Sequence, residues 1–175
     1  AMTPLERRLL CELFEHEGND QAVYFFASDN VADTAWIATA ELVELLDQDN
    51  GMISRIADVV RAEIAKGDLG EDEFELDFSM IGYDLIFQDI VRRSPDLDHV
   101  QIIAAWTCTK MRPDGFGGMA TVITADDVHS MSTASYVEEV LGILSAKLRE
   151  AGIDAEVTGR DKEMASIQAK MTTQG

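Results

Sequence analysis

Three features of this 175-residue sequence predict an α+β fold. Helical apolar spacing dominates the first half, strict alternation takes over between Val100 and Thr109, and a helical stripe returns after Ser135. Runs of helices followed by a small meander favour α+β over alternating parallel units. The expected architecture is one domain over residues 1–157, with about five helices on a three- to four-stranded antiparallel meander. Residues 1–93 form its mainly helical, strongly acidic part and 94–157 the meander plus a long helix. Residues 158–175 are polar and lack a firm apolar face, so they read as a C-terminal tail.

The first helix opens on Thr3-Pro4-Leu5-Glu6, a capping box with proline at the first helical position. Leu5, Leu9, Leu10 and Phe14 follow at helical spacing until Gly18-Asn19-Asp20. Residues 22–27 (Ala22-Val23-Tyr24-Phe25-Phe26-Ala27) are apolar and short, which suits a strand or a buried helical turn. Asp33 is the expected cap of a second helix bearing Ala35, Ala38, Leu42, Leu45 and Leu46, closed at Asn50-Gly51 by a left-handed turn. Ile53, Ile56, Val60 and Ile64 mark a third helix that stops at Gly67. Residues 68–77 are an acidic connector or edge segment in which Phe74, Leu76 and Phe78 alternate with charges. Ser79 is the expected cap of a fourth helix running to Arg93 through Tyr83, Phe87, Ile90 and Val91, with Arg92 and Arg93 at the negative end of its dipole.

The second half alternates. Val100, Ile102, Ala104, Trp106 and Cys108 share one strand face, and Arg112-Pro113-Asp114-Gly115 has the residues of a turn. Gly118–Thr124 returns as a strand and Val128–Met131 adds a third. Ser135-Tyr136-Val137-Glu138 is a second capping box, followed by Val137, Val140, Leu141, Leu144 and Leu148 on one helical stripe. Gly152 ends that helix, and 153–157 suits a last strand. Trp36 and Trp106 are expected in the core, and Phe116 at an exposed turn.

An apolar fraction of 46% supports a sizeable core despite a net charge of −19. No apolar run approaches the ~18 residues of a membrane helix. The two cysteines, Cys11 and Cys108, suggest no disulfide framework, and the opening residues do not read as a charged, apolar, small-residue leader, so free thiols in a reducing cytoplasm are expected.

Charge is distributed unevenly. Residues 9–91 hold twenty Asp/Glu against Arg55, Arg61 and Lys66, a net of −17, whereas 92–175 net only −3. Such a field steers encounter toward basic partners and away from nucleic acid and anionic membrane. The leading reading is a non-enzymatic interaction module docking on a basic protein through Glu41, Glu44, Asp47, Asp49, Glu71, Asp72, Glu73, Glu75 and Asp77. Its most specific form is an inhibitor or nucleic-acid mimic of the antirestriction or anti-CRISPR type, acting on a nucleic-acid-binding protein. The plain alternative is a solvated surface that promotes solubility or suits a salty cytoplasm.

Two further readings belong to other classes. A small enzyme could use Cys108 as nucleophile, His129 as base and Asp126 or Asp127 as its orienter, although Cys108 shares an apolar face. A structural homodimer could pair through Tyr24, Phe25, Phe26 or Phe116. No cofactor or metal is expected. Asp47-Gln48-Asp49-Asn50-Gly51 resembles the start of a calcium loop, but its sixth residue is Met52 and no bidentate Glu closes it. The run Glu71–Asp77 repels the phosphate that a catalytic magnesium would need. Gly115-Phe116-Gly117-Gly118 leads into a strand and so offers no helix N-terminus to an anion, and His16 and His99 lack metal-ligand spacing.

Overall fold

The computed structural model describes residues 1–19, 22–48, 51–67, 70, 72–107 and 116–151. Among these, the fold is mixed α+β with six helices and three small antiparallel sheets, in place of a single meander. The chain divides into two compact units, one of residues 1–100 with 123–128 and the other of 101–122 with 129–175. The charge follows this division. The first unit carries 25 acids and 7 Lys/Arg, a net of −18, and the second carries 8 and 7, a net of −1.

In the first unit, α1 (Pro4–Leu13) forms where the capping box predicts. Glu6 N–H donates to Thr3 Oγ1 at 3.2 Å, and Thr3 N–H donates to Glu6 Oε2 at 2.9 Å. Leu5, Leu9, Leu10 and Leu13 are buried on its inner face. The helix ends earlier than the apolar spacing implies. Glu15–Gly18 is a strand, β1, pairing antiparallel with β2 (Val23–Phe26), which decides the ambiguous apolar run in favour of strand. Gly18 makes the turn possible at φ +141°, because a Cβ there would lie 2.1 Å from the Ala22 carbonyl oxygen.

The expected second helix is corrected in its first turn. Thr34–Ala38 is strand β3, and α2 spans only Thr39–Asp47. Ala35 and Ile37 are buried while Trp36 and Ala38 are exposed, a period of two in place of 3.6. Asp33 therefore caps no helix; its carbonyl accepts the Phe78 N–H at 2.6 Å. Gly51, beyond α2, has the expected positive φ of 73°. The acidic segment contributes β4 (Glu73–Asp77), antiparallel to β3 in the register Ala38↔Glu73, Trp36↔Glu75 and Thr34↔Asp77.

Helix α3 covers Arg55–Ala65, so Ile53 lies outside it and is exposed. The expected helix from Ser79 to Arg93 is two helices. Asp77 caps α4 (Phe78–Ile81) by accepting from Ser79 N–H at 2.7 Å, Gly82 breaks the run at φ +72°, and α5 spans Asp84–Arg93. Ile86, Phe87, Ile90 and Val91 of α5 are buried, and Phe14, Phe25, Tyr83 and Phe87 form an aromatic cluster with centroids 5.1–6.4 Å apart.

Two buried carboxylates tie this unit together. Glu6, fully buried, accepts from Thr3 N–H, from Ser54 Oγ–H at 2.8 Å and from the Arg93 guanidinium at 2.5 Å. Asp89, also buried, accepts the Arg55 N–H and the Arg55 Nε–H, both at 2.7 Å. The free N–H at the start of α3 is thus capped by a side chain from α5, while Ser54, the residue placed to cap it, binds Glu6 instead.

The third sheet has the order β5-β6-β7, formed by His99–Thr107, Phe116–Thr124 and Val128–Ser132. Its strands fall within two residues of the expected spans, and the expected alternation runs from Val100 to Ala104 before Trp106 breaks it. Helix α6 follows over Thr133–Glu150, capped by Ser132 accepting from Ser135 N–H at 3.0 Å, three residues before the expected cap. The predicted apolar stripe is present, yet α6 has no buried residue. Residues 112–115, Gly152, the 153–157 strand and the 158–175 tail lie outside the described residues.

Candidate functional site

The β3–β4 ribbon shows how sequence makes an amphipathic platform. Its inner face holds Ala35, Ile37, Phe74 and Leu76, all buried. Period-two alternation then sends Thr34, Trp36, Ala38, Glu73, Glu75 and Asp77 to the opposite face. Trp36 stands directly across from Glu75 and remains 47% exposed, which corrects its expected place in the core. Successive carboxylates on β4 are about 6.8 Å apart, twice the rise per residue of an antiparallel strand. Asp72 adjoins this row, since its carbonyl accepts the Thr39 N–H at 3.0 Å where β3 gives way to α2.

Six cations of the first unit are engaged elsewhere. Arg8 holds Glu12 and, at 2.8 Å, Glu41; Arg55 and Arg92 hold Asp89; Arg61 holds Asp58; Lys66 holds Glu63; and Arg93 holds Glu6. Glu41 is therefore tied to α1. Among the described residues no ion pair reaches Glu44, Asp47, Asp72, Glu73 or Glu75, and all five are exposed. Asp77 accepts from Ser79 through both its side chain and its backbone N–H, which holds its carboxyl below the ordinary 3.8 and keeps it anionic. Asp49 and Glu71 lie outside the described residues.

The components of the thiol reading do not assemble into a describable site. Cys108 lies outside the described residues, His129 is exposed on β7, and the Asp127 carboxylate accepts the Val128 N–H at 2.8 Å within the β6–β7 turn. Cys11 is a free thiol, and burial pushes its pKa up, away from the reactive thiolate. Among the described residues no three His, Cys, Asp or Glu side chains form a metal-holding group, and no helix is long and apolar enough to cross a membrane. Trp106, like Trp36, is half-exposed, with its indole against Gly117. Phe116 is exposed as its turn position implies.

Sequence reasoning found the β4 carboxylates from their alternation but missed Trp36 as part of the same face. The signal was available: Thr34-Ala35-Trp36-Ile37 is rich in β-branched and aromatic residues. The chain matches no protein-family profile, no curated protein and no solved structure at a significant level.

Proposed function

We propose that this protein is a non-enzymatic interaction module that binds a basic protein segment on the outer face of the β3–β4 ribbon. The observation that supports this reading is the row Glu73, Glu75 and Asp77 beside exposed Trp36, in a unit where Arg8, Arg55, Arg61, Lys66, Arg92 and Arg93 each hold another carboxylate. Each part has a use. The carboxylates attract Lys and Arg over a Debye length of about 8 Å at physiological salt. The indole offers a face to a guanidinium or ammonium that arrives desolvated. Tryptophan is also over-represented among residues that dominate interface energetics.

The ~6.8 Å spacing of the row describes the target. Side chains of an extended segment project to one side at that same ~6.8 Å, so a segment with Lys or Arg at every second position matches the row one to one. The basic face of a nucleic-acid-binding protein that carries such a segment is the preferred partner. Glu44, Asp47 and Asp72 extend the negative field around the row.

A direct test titrates the W106F protein, which retains Trp36 as its one indole, with an alternating-lysine peptide while following fluorescence. Binding is expected to perturb Trp36 and to weaken steeply as salt rises. E73K/E75K should weaken it about tenfold or more, since two attractive pairs become repulsive. E17K/D29K, on exposed residues outside the β3–β4 pairing, is the control. Each reversal adds two charges, so both double variants move from −19 to −15. Equal losses in the two variants would leave only a diffuse acidic surface and refute the site.

A further inference from the structure

We infer that the basic segment joins the β3–β4 ribbon as a third strand, antiparallel along the outer edge of β4. This arrangement rests on the docking reading above and adds how the segment lies. The ladder itself shows which backbone groups are available. Phe78 N–H donates to the Asp33 carbonyl and Thr39 N–H to the Asp72 carbonyl, so Asp33↔Phe78 and Thr39↔Asp72 are hydrogen-bonded pairs at the two ends of the ribbon. Such pairs alternate with non-bonded ones in an antiparallel ladder. The unbroken register then makes Ala35↔Leu76 and Ile37↔Phe74 bonded pairs, and Thr34↔Asp77, Trp36↔Glu75 and Ala38↔Glu73 non-bonded ones. The backbone N–H and C=O groups of Glu73, Glu75 and Asp77 therefore point away from β3. Among the described residues the ribbon has two strands, so no third strand takes up these groups.

The ends of this edge are bounded and its middle is open. Gly70 comes against the Glu73 carbonyl, since a Cβ on it would lie 2.3 Å from that oxygen. Asp77 is the N-cap of α4, and the carbonyl of an N-cap accepts the first bond of its helix. Between these limits stand the N–H and C=O of Glu75 and the N–H of Asp77.

Charge decides what pairs there. An added residue that exchanges both bonds with Glu75 stands directly opposite it, with its side chain on the same face. The residues two before and two after then face Asp77 and Glu73. Opposite charges directly across neighbouring strands stabilise the pairing, and like charges oppose it. A second copy pairing edge to edge about a two-fold axis at Glu75 would set Glu75 against Glu75 and Glu73 against Asp77. The row thus guards the ribbon against self-association and leaves it open to a strand with Lys or Arg at every second position. The intervening residues of that strand continue the inner face of Phe74 and Leu76, where β-branched or aromatic side chains fit best. Trp36 lies two strands away, about 9.6 Å, within reach of a lysine or arginine side chain laid across Glu75.

A peptide of alternating lysine and valine tests this, together with two backbone-methylated forms that keep every charge. Methyl groups on the lysine nitrogens remove the donors that face β4 and obstruct its approach. The same number on the valine nitrogens lie on the far edge of the added strand. Titration of W106F, followed at Trp36, should show the valine-methylated peptide binding like its parent. The lysine-methylated form should bind at least about tenfold more weakly, because two or more backbone bonds are lost. Amide exchange followed by NMR should show the Glu75 N–H slowed by the parent peptide, while the Phe74 and Leu76 N–H groups, held by β3, are slow from the start. Equal binding of both methylated forms, or a Trp36 response without slowing at Glu75, overturns strand addition and leaves the segment docked across the face. A parent peptide that does not perturb Trp36 refutes the docking reading itself, so the two failures are distinct.

Discussion

Replacing Glu6 with alanine removes the one carboxylate that joins the start of α1 to Ser54 and to the end of α5. Three donors lose their acceptor: Thr3 N–H, Ser54 Oγ–H and the Arg93 guanidinium. Breaking a buried ion pair from one side costs about 3–5 kcal/mol, chiefly through the charge left behind. Arg93 keeps two other acceptors, the carbonyls of Ile53 and Ala1, which places the expected loss near the lower bound, about 3 kcal/mol. That is a large share of the ~5–15 kcal/mol typical of a folded domain. Glutamine should behave differently. With its oxygen at the Oε2 position it still accepts from Thr3 and Arg93, and its amide donates to Ser54 Oγ, which turns to accept. E6Q loses charge but no geometry, and should cost about 1 kcal/mol. Urea unfolding followed by circular dichroism separates the two, the midpoint moving with little change in m. Equal losses for E6A and E6Q, or a loss under about 1 kcal/mol for E6A, would refute the claim that this carboxylate anchors the unit.

Asp89→Ala should lose about 3 kcal/mol, because it takes the acceptor from the first N–H of α3 and the carboxylate from the Arg55 guanidinium, which keeps only the Leu85 carbonyl and Gln88 Oε1; the same urea titration measures it. Gly82 has φ 72° and ψ 138°, a region that essentially only glycine occupies, and an added Cβ would lie 2.4 Å from Asp84 Oδ1. Gly82→Ala should therefore lower stability by roughly 1–3 kcal/mol, read as a fall in Tm. The Asp77 carboxyl is depressed below 3.8 by its bonds to Ser79, so its contribution is full above that value and fades as pH falls through the lower folded value. Asp77→Asn should accordingly destabilise at neutral pH and converge with the parent in acid, which thermal melts across pH would show. Cys11, its pKa raised by burial, should alkylate at pH 7 more slowly than a free thiol, and the gap should close on unfolding in urea, as mass spectrometry of the iodoacetamide adduct would report.

Features set by neighbouring residues were legible in the sequence. The Thr3–Glu6 box fixes the start of α1 because both partners lie within one turn, and the alternation of Phe74 and Leu76 with acids marks β4. The errors arose where distant residues decide. Ala35, Ala38 and Leu42 share helical spacing by coincidence, yet pairing with β4 draws residues 34–38 into a strand. Phe14 continues the spacing of α1, but its C-terminal neighbours pair with Val23–Phe26 and end the helix. The apolar spacing counts the third helix from Ile53, whereas it starts at Arg55; Ser54 there binds Glu6, 48 residues away, and the Arg55 N–H is capped by Asp89, 34 residues on. The acidic row of the candidate site was readable for the same local reason as β4. The neighbouring Trp36 was not, because its exposure depends on which face of a tertiary ribbon is covered.

The bond between Glu6 and Arg93 spans 87 positions. On a ribosome adding ~5–20 residues per second, Glu6 is made roughly 4–17 s before its cation. Through that interval Glu6 has only Thr3 and later Ser54 to hold it, and the leucines beside it have no finished core to enter. The N-terminal helix is the best-encoded element of the chain and among the last to be secured, so a nascent chain ending before Arg93 presents an apolar helix to whatever meets it first.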